Sequence, residues 1–213
     1  MTGTRTVVHL VRHGEVENPR RVLYGRRPDF HLSATGKEMA ERVADWFAGR
    51  DLTVLRASPL ERTVETATPT AERAELEIDV DDRLIEPWNR FEGLSFGVGD
   101  GSWRHPRYWQ YVMNPFKPSW GEPYREVVER MLGVLSTVRA AAAGREAVCV
   151  THQLPIEVTR RALTGQRLWH RPDRRQCSLA SVTSLTYADD SVVDVSYAEP
   201  ALAIPADEEE RGA

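Results

Sequence analysis

Two cysteines in 213 residues, Cys149 and Cys177, stand far apart and cannot form a disulfide framework. They fit packed thiols in a reducing compartment. No run approaches the roughly 20 apolar residues of a membrane-spanning helix. The N-terminus also lacks the basic start, apolar centre and small-residue cleavage site of a secretory signal, so the expectation is a cytoplasmic chain. A basic excess is missing too: 28 Lys and Arg against 32 Asp and Glu leave a net charge of -4. That excludes a global field for nucleic acid or an anionic membrane, so any anion site has to be local. Paired-cysteine and two-histidine spacings for a metal are absent. Gly36-Lys37 is no P-loop, because His31 occupies the place of its first glycine and Glu38 replaces the Ser or Thr. There is no internal repeat.

What remains, 41% hydrophobic and 28% charged residues, suits one soluble globular domain with a single well-packed core. The chain is organised around Leu10-Val11-Arg12-His13-Gly14-Glu15. Val7 to Val11 is a short β-branched strand pattern that stops at charged residues and a glycine. Gly14 lets the backbone turn where Arg12 and His13 emerge. On its own the triplet reads equally well as a packed, hydrogen-bonded strand-end histidine.

The connection from Asn18 to Leu32 is polar and rich in Arg, Pro and Gly, a candidate binding loop. It holds Arg20, Arg21, Arg26 and Arg27, among which Arg26 is the candidate substrate contact and a solvated face is the plainer alternative. Ser33 reads as a helix N-cap, with Met39, Val43, Trp46 and Phe47 on one face of a helix to about Ala48. Leu52 to Arg56 is a second strand. Ala57-Ser58-Pro59 then predicts a helix capped by Ser58, with Pro59 at its first position and Arg62 in its first turn. It runs to about Ala74, and a third strand covers about 77–80. This alternation predicts a three-layer α/β/α sandwich around a mostly parallel sheet.

Between Arg83 and Tyr124 lie ten of the chain's seventeen aromatic residues, with no clear period. The expectation is a small inserted cap at about 93–120, either a lid over the site or a local core. A helical stripe follows from Glu122 to about Ala143, ended by Gly144. Ala147 to Thr151 is a buried parallel strand that delivers His152, and the next helix covers Pro155 to Leu163. The segment from Arg160 to Arg175 holds six arginines with His170, either part of an anion pocket or a solvated rim. Ala180 to Tyr187 and Val192 to Tyr197 form a hairpin about Asp189-Asp190. The domain is expected to span 1–198, with 199–213 an acidic, disordered tail.

If these strands are neighbours, Arg12, His13, Arg62 and His152 converge at their carboxyl ends, where ligands bind in such sheets. Phosphoryl transfer spreads negative charge over equatorial oxygens, so it needs fixed cationic donors, and guanidinium groups supply paired ones. A neutral histidine can serve as nucleophile without a metal. The leaving alkoxide needs a proton, for which Glu86 and Glu92 are the candidates.

With these residues in place, the chain resembles the histidine phosphatase superfamily, also called phosphoglycerate mutase-like. The resemblance is carried by Arg12-His13-Gly14-Glu15, Gly25, Leu32-Ser33-Ala34-Thr35-Gly36, Ala57-Ser58-Pro59-Leu60-Glu61-Arg62 with Thr66-Ala67, Glu86, Glu92-Gly93 and Val150-Thr151-His152. It implies phosphorylation of His13, phosphate held by Arg12, Arg62 and His152, proton donation by Glu86, and no metal or cofactor. Asn18 comes one residue earlier than the family's phosphate-contacting asparagine, with Pro19 in that place. Gln153 replaces a frequent glycine, where it either touches substrate or caps a helix. Glu86 lies one residue closer to Glu92-Gly93 than usual.

The leading reading is therefore a phosphatase acting on a small phosphorylated molecule, with no nucleic-acid or membrane partner and homo-oligomerisation left open. A cofactor-dependent phosphoglycerate mutase and a non-catalytic phosphate-binding module are the alternatives. The mutases usually carry a longer lysine-rich insertion, which is missing here.

Overall fold

The β-branched and apolar runs form strands, and the computed structural model, which describes residues 5–93 and 121–204, joins them in one six-stranded sheet. In chain order these are β1 (Arg5–Arg12), α1 (Ala34–Phe47), β2 (Leu52–Ala57), α2 (Glu61–Ala74), β3 (Asp79–Val80), α3 (Tyr124–Ala141), β4 (Glu146–Thr151), α4 (Gln153–Leu163), β5 (Val182–Ala188) and β6 (Ser191–Ala198). The spatial order is β3-β2-β4-β1-β5-β6. The first four strands of that row are parallel, and β5 and β6 join as the antiparallel edge. The structure is thus the expected three-layer α/β/α sandwich. The expected cap at about 93–120, with Trp103, Arg104, His105, Arg107, Trp109, Lys117 and Trp120, lies almost wholly outside the described residues.

Alternation along each strand sends side chains to both faces. Val8, Leu10, Ala147, Cys149 and Leu185 meet Val127, Met131, Val134, Leu135 and Val138 of α3 and Ile156 of α4. On the other face Val11, Leu55, Val148, Val150 and Val182 meet Met39, Val43 and Phe47 of α1 and Ala67 and Ala71 of α2. Both faces of β1 and β4 are dry, so truncating Leu10, whose exposure is 0%, would cost about 2–5 kcal/mol. Ser33 caps α1 as expected, its hydroxyl accepting from the Gly36 N–H.

Two expectations are corrected. Ser58 does not cap α2: the cap residue is Leu60, which has no side-chain acceptor to offer, and the helix starts at Glu61. The Ser-Pro pair instead carries the chain over the end of β2, where the Ser58 backbone N–H donates to Val150 at 3.0 Å. The packed unit also continues beyond residue 198. Glu199 to Ile204 turns back on the sheet, and Ala201 is buried in the core beside α1 and α2. The acidic residues 205–213 lie outside the described residues. No described helix is long and apolar enough to cross a membrane.

Candidate active site

The strand order explains how the site assembles. β4 lies between β1 and β2, with Arg12 level with Thr151 and Ala57 level with Val150. The residues just past these positions, His13, His152 and Ser58, therefore leave the sheet side by side. The His13 and His152 rings stand edge to face with centroids 5.2 Å apart. The turn after β1 closes on α1 so tightly that a Cβ on Gly36 would meet the Glu15 carbonyl oxygen at 2.0 Å. One on Gly14 would meet the Gly36 oxygen at 2.6 Å. The Gly14 N–H donates to Thr66 Oγ1 at 3.0 Å, which ties this turn to α2 one helical turn beyond Arg62. Buried Glu15 accepts the Ser33 hydroxyl at 2.6 Å, so the capping residue of α1 also fixes the turn.

His13 is 3% exposed, and its Nδ1 lies 2.7 Å from its neighbour's carbonyl, that of Gly14. A carbonyl only accepts, so Nδ1 carries the proton and the Nε2 lone pair faces outward from that bond. Burial, followed by the charges of Arg62 and Arg12, holds the His13 pKa well below the ordinary imidazole value. The ring is neutral at physiological pH.

Arg12 donates from Nη1 to the Cys177 carbonyl at 2.8 Å, and Arg62 from Nη2 to the Gly25 carbonyl at 2.6 Å. Arg12 Nε and Arg62 Nε and Nη1 are buried without a hydrogen-bond partner among the described residues. Buried donors left open in this way fit an anion that would occupy them. The Tyr24 ring lies under the Arg62 guanidinium at 4.7 Å and 6.3 Å from the His13 ring. His152 meets the Ser58 hydroxyl with Nε2 at 2.9 Å, and its Nδ1 lies 3.7 Å from Glu86 Oε2. Burial lowers the His152 pKa well below the usual value, and the charges of Arg62 and Arg12 lower it further.

Of the two carboxylates left open by the sequence, Glu86 faces the histidines, whereas Glu92 accepts the Asn89 N–H at 3.0 Å and packs where a Cβ on Gly25 would stand. Burial pushes the Glu86 carboxyl up to about 7, against the opposing pull of Arg62, Arg175, Arg12 and Arg130. A carboxylic acid at that value can both give and take a proton near neutrality.

The three expected substrate contacts have other duties visible in the fold. Asn18 is buried and clasps the Val22 backbone through both ends of its amide, at 2.9 and 3.1 Å. Arg26 donates from Nε to the backbone carbonyl of Glu86 at 2.5 Å and from Nη2 to Glu122 at 2.8 Å. Glu122 is gripped in turn by Arg130 at 2.7 Å. Gln153 opens α4, donating to the Cys177 carbonyl at 3.3 Å and accepting from Arg175 at 2.9 Å.

Three residues escaped the sequence reading: Tyr24, Ser58 as the partner of His152, and Arg175. The resemblance to a cap position masked Ser58, and the run of arginines masked Arg175. Within that run Arg160 and Arg161 pair with buried Glu157, and Arg171 pairs with exposed Asp173. Among the described residues no group of three or more His, Cys, Asp or Glu side chains could hold a metal ion.

Comparison with known proteins bears on this geometry. The sequence profile of the histidine phosphatase superfamily (branch 1) matches residues 8–199. An uncharacterized protein of Mycobacterium tuberculosis, Rv0525, is 56% identical over 196 residues, covering 92% of this chain and 97% of its own. Phosphoserine phosphatase 1 of Hydrogenobacter thermophilus is 32% identical over 160 residues, 73% of this chain and 75% of its own. Among solved structures, mycobacterial glucosyl-3-phosphoglycerate phosphatase Rv2419c shares the fold with a TM-score of 0.71 at 23% identity, over 91% of this chain and 96% of that one.

Proposed function

This chain belongs to the histidine phosphatase superfamily, and from that premise we propose that it is a metal-independent phosphatase hydrolysing a small organic phosphomonoester through a phosphohistidine on His13. The observation that carries the reading is the tautomer of His13. With Nδ1 donating to Gly14, the neutral Nε2 keeps its lone pair among Arg12, Arg62 and His152. A phosphatase among the relatives, at 32% identity, supports hydrolysis over storage of the phosphoryl group.

In the first half-reaction Nε2 forms a bond to phosphorus while the ester P–O bond breaks. Arg12, Arg62 and His152 hold the equatorial oxygens, and Glu86 passes its proton to the departing alkoxide. In the second, water attacks phosphorus and the N–P bond breaks. Glu86, now a carboxylate, takes the proton from water, and inorganic phosphate leaves with the ring and the acid restored.

The test is hydrolysis of an aryl phosphate in chelator by wild type and His13→Ala, with acid-quenched protein examined for a phosphoryl group on histidine. The expected result is metal-free turnover and trapped label in wild type, both lost in His13→Ala. Turnover that needs a bisphosphoglycerate primer would assign a mutase instead, and phosphate binding without turnover a binding module.

A further inference from the structure

Three arginines around Glu86 have no ion-pair partner among the described residues: Arg12, Arg62 and Arg175. The first two, at the end of β1 and in the first turn of α2, fit the phosphate. The third, on the connection between α4 and β5, stands beside Arg12 through Gln153 and the shared Cys177 carbonyl.

Its surroundings are built to hold it without neutralising it. Arg175 donates from Nε to His170 Nε2 at 3.0 Å and from Nη1 to Gln153 Oε1 at 2.9 Å. His170 Nδ1 is 2.6 Å from the Leu168 carbonyl, so the proton sits on Nδ1 and Nε2 is a neutral acceptor. The imidazole stacks at 5.9 Å on Tyr124, the first residue of α3. The Gln153 amide is fixed at its other end by the Cys177 carbonyl, the acceptor that also holds Arg12. Two of the guanidinium nitrogens are thus occupied by uncharged acceptors, and Nη2 carries no hydrogen bond among the described residues. Partial burial pulls the Arg175 pKa down, while the charge of Glu86 pulls it up. Arg175 is half-buried, and a guanidinium held there only by neutral acceptors leaves its charge open to an anion.

Gln153 directly follows His152, and Glu86 is the proton donor to the leaving oxygen. The free edge of Arg175 therefore belongs to the leaving-group side of the site. Building on the hydrolase reading, we propose that Arg175 binds a second anionic group, a carboxylate, on the alcohol half of the phosphorylated substrate. Gln153 and His170 are its positioning residues.

The test compares two esters of equal chain length, propyl phosphate and 3-phosphooxypropanoate. Binding is measured by calorimetry in His13→Ala protein with Arg175 intact, Arg175→Gln or Arg175→Lys. With Arg175 intact the carboxylated ester should bind about 10-fold or more tightly than the neutral one. The ratio should fall to near one in Arg175→Gln and recover in part in Arg175→Lys. Equal binding of the two esters by the intact protein, or a preference that survives in Arg175→Gln, overturns the proposal. Turnover of both esters with His13 in place is followed separately. Its absence would sink the hydrolase reading, while the binding ratio still decides for or against Arg175.

Discussion

His152 Nδ1 lies 3.7 Å from Glu86 Oε2, and the other nitrogen of the same ring meets the Ser58 hydroxyl at 2.9 Å. One imidazole thus links the end of β2 to the residue proposed as proton donor. It stays neutral beside it because burial and the guanidinium groups of Arg62, Arg12 and Arg130 oppose its charging. Glu86 consequently has no cationic histidine to offset the burial that raises its pKa.

That raised value sets a pH signature. On an alkyl phosphate, activity should fall as pH rises through about 7, where Glu86 loses the proton it must give. Glu86→Gln should lose about 10²- to 10⁴-fold on that substrate and much less on an aryl phosphate with a good leaving group. For stability the sign is the same. A carboxyl near 4.3 in the unfolded chain and about 7 in the folded one stabilises the fold below 4.3, and that stability is lost as pH rises through about 7. Glu86→Gln should therefore be more stable than wild type at pH 8, by on the order of 2 kcal/mol, with the gap closing toward pH 5. Urea unfolding at the two pH values checks it.

Arg26 grips the Glu86 backbone at 2.5 Å and is itself held by Glu122. Arg26→Ala should misplace the acid more than the phosphate. The expected loss in kcat is about 10-fold on an alkyl phosphate and smaller on an aryl phosphate. A loss equal on both substrates would show that Arg26 contributes through the phosphate or the fold instead.

Gly36→Ala puts a methyl group 2.0 Å from the Glu15 carbonyl, with backbone on both sides of the clash. It should lower stability by about 3 kcal/mol and weaken activity by shifting the turn that carries His13. Gly49→Ala, which meets nothing within 4 Å but has φ +77, should cost only about 1 kcal/mol. Midpoints in urea distinguish the two.

The frame and the strand-end residues were legible because their signals are local. β-branched runs stop at Arg12, Ala57 and Thr151, and a parallel sheet brings such ends together. Ser58 was not legible in the same way. Ser-Pro ahead of a helix describes a cap equally well, and only the insertion of β4 beside β2 brings His152 to its hydroxyl. Glu86 and Glu92 are six residues apart and chemically alike. Which one faces the histidines depends on the space left open by Gly25. Arg175 was hidden among six arginines because its placement depends on Gln153 and His170, which no periodicity connects to it.

The position of β4 has a consequence for how the chain acquires its activity. Although β1 and β2 are successive strands, they never touch, because β4 fills the gap between them. A nascent chain that ends before Glu146 holds Arg12, His13 and Arg62 yet lacks the strand that sets their spacing. The site therefore forms only after a closure spanning more than a hundred residues, from Val7 paired with Glu146 to Arg12 paired with Thr151. Such long-range pairing is slow compared with helix formation. Recovery of catalysis after dilution from denaturant should accordingly coincide with the last cooperative phase, and fragments cut upstream of β4 should be inert until that strand is supplied in trans.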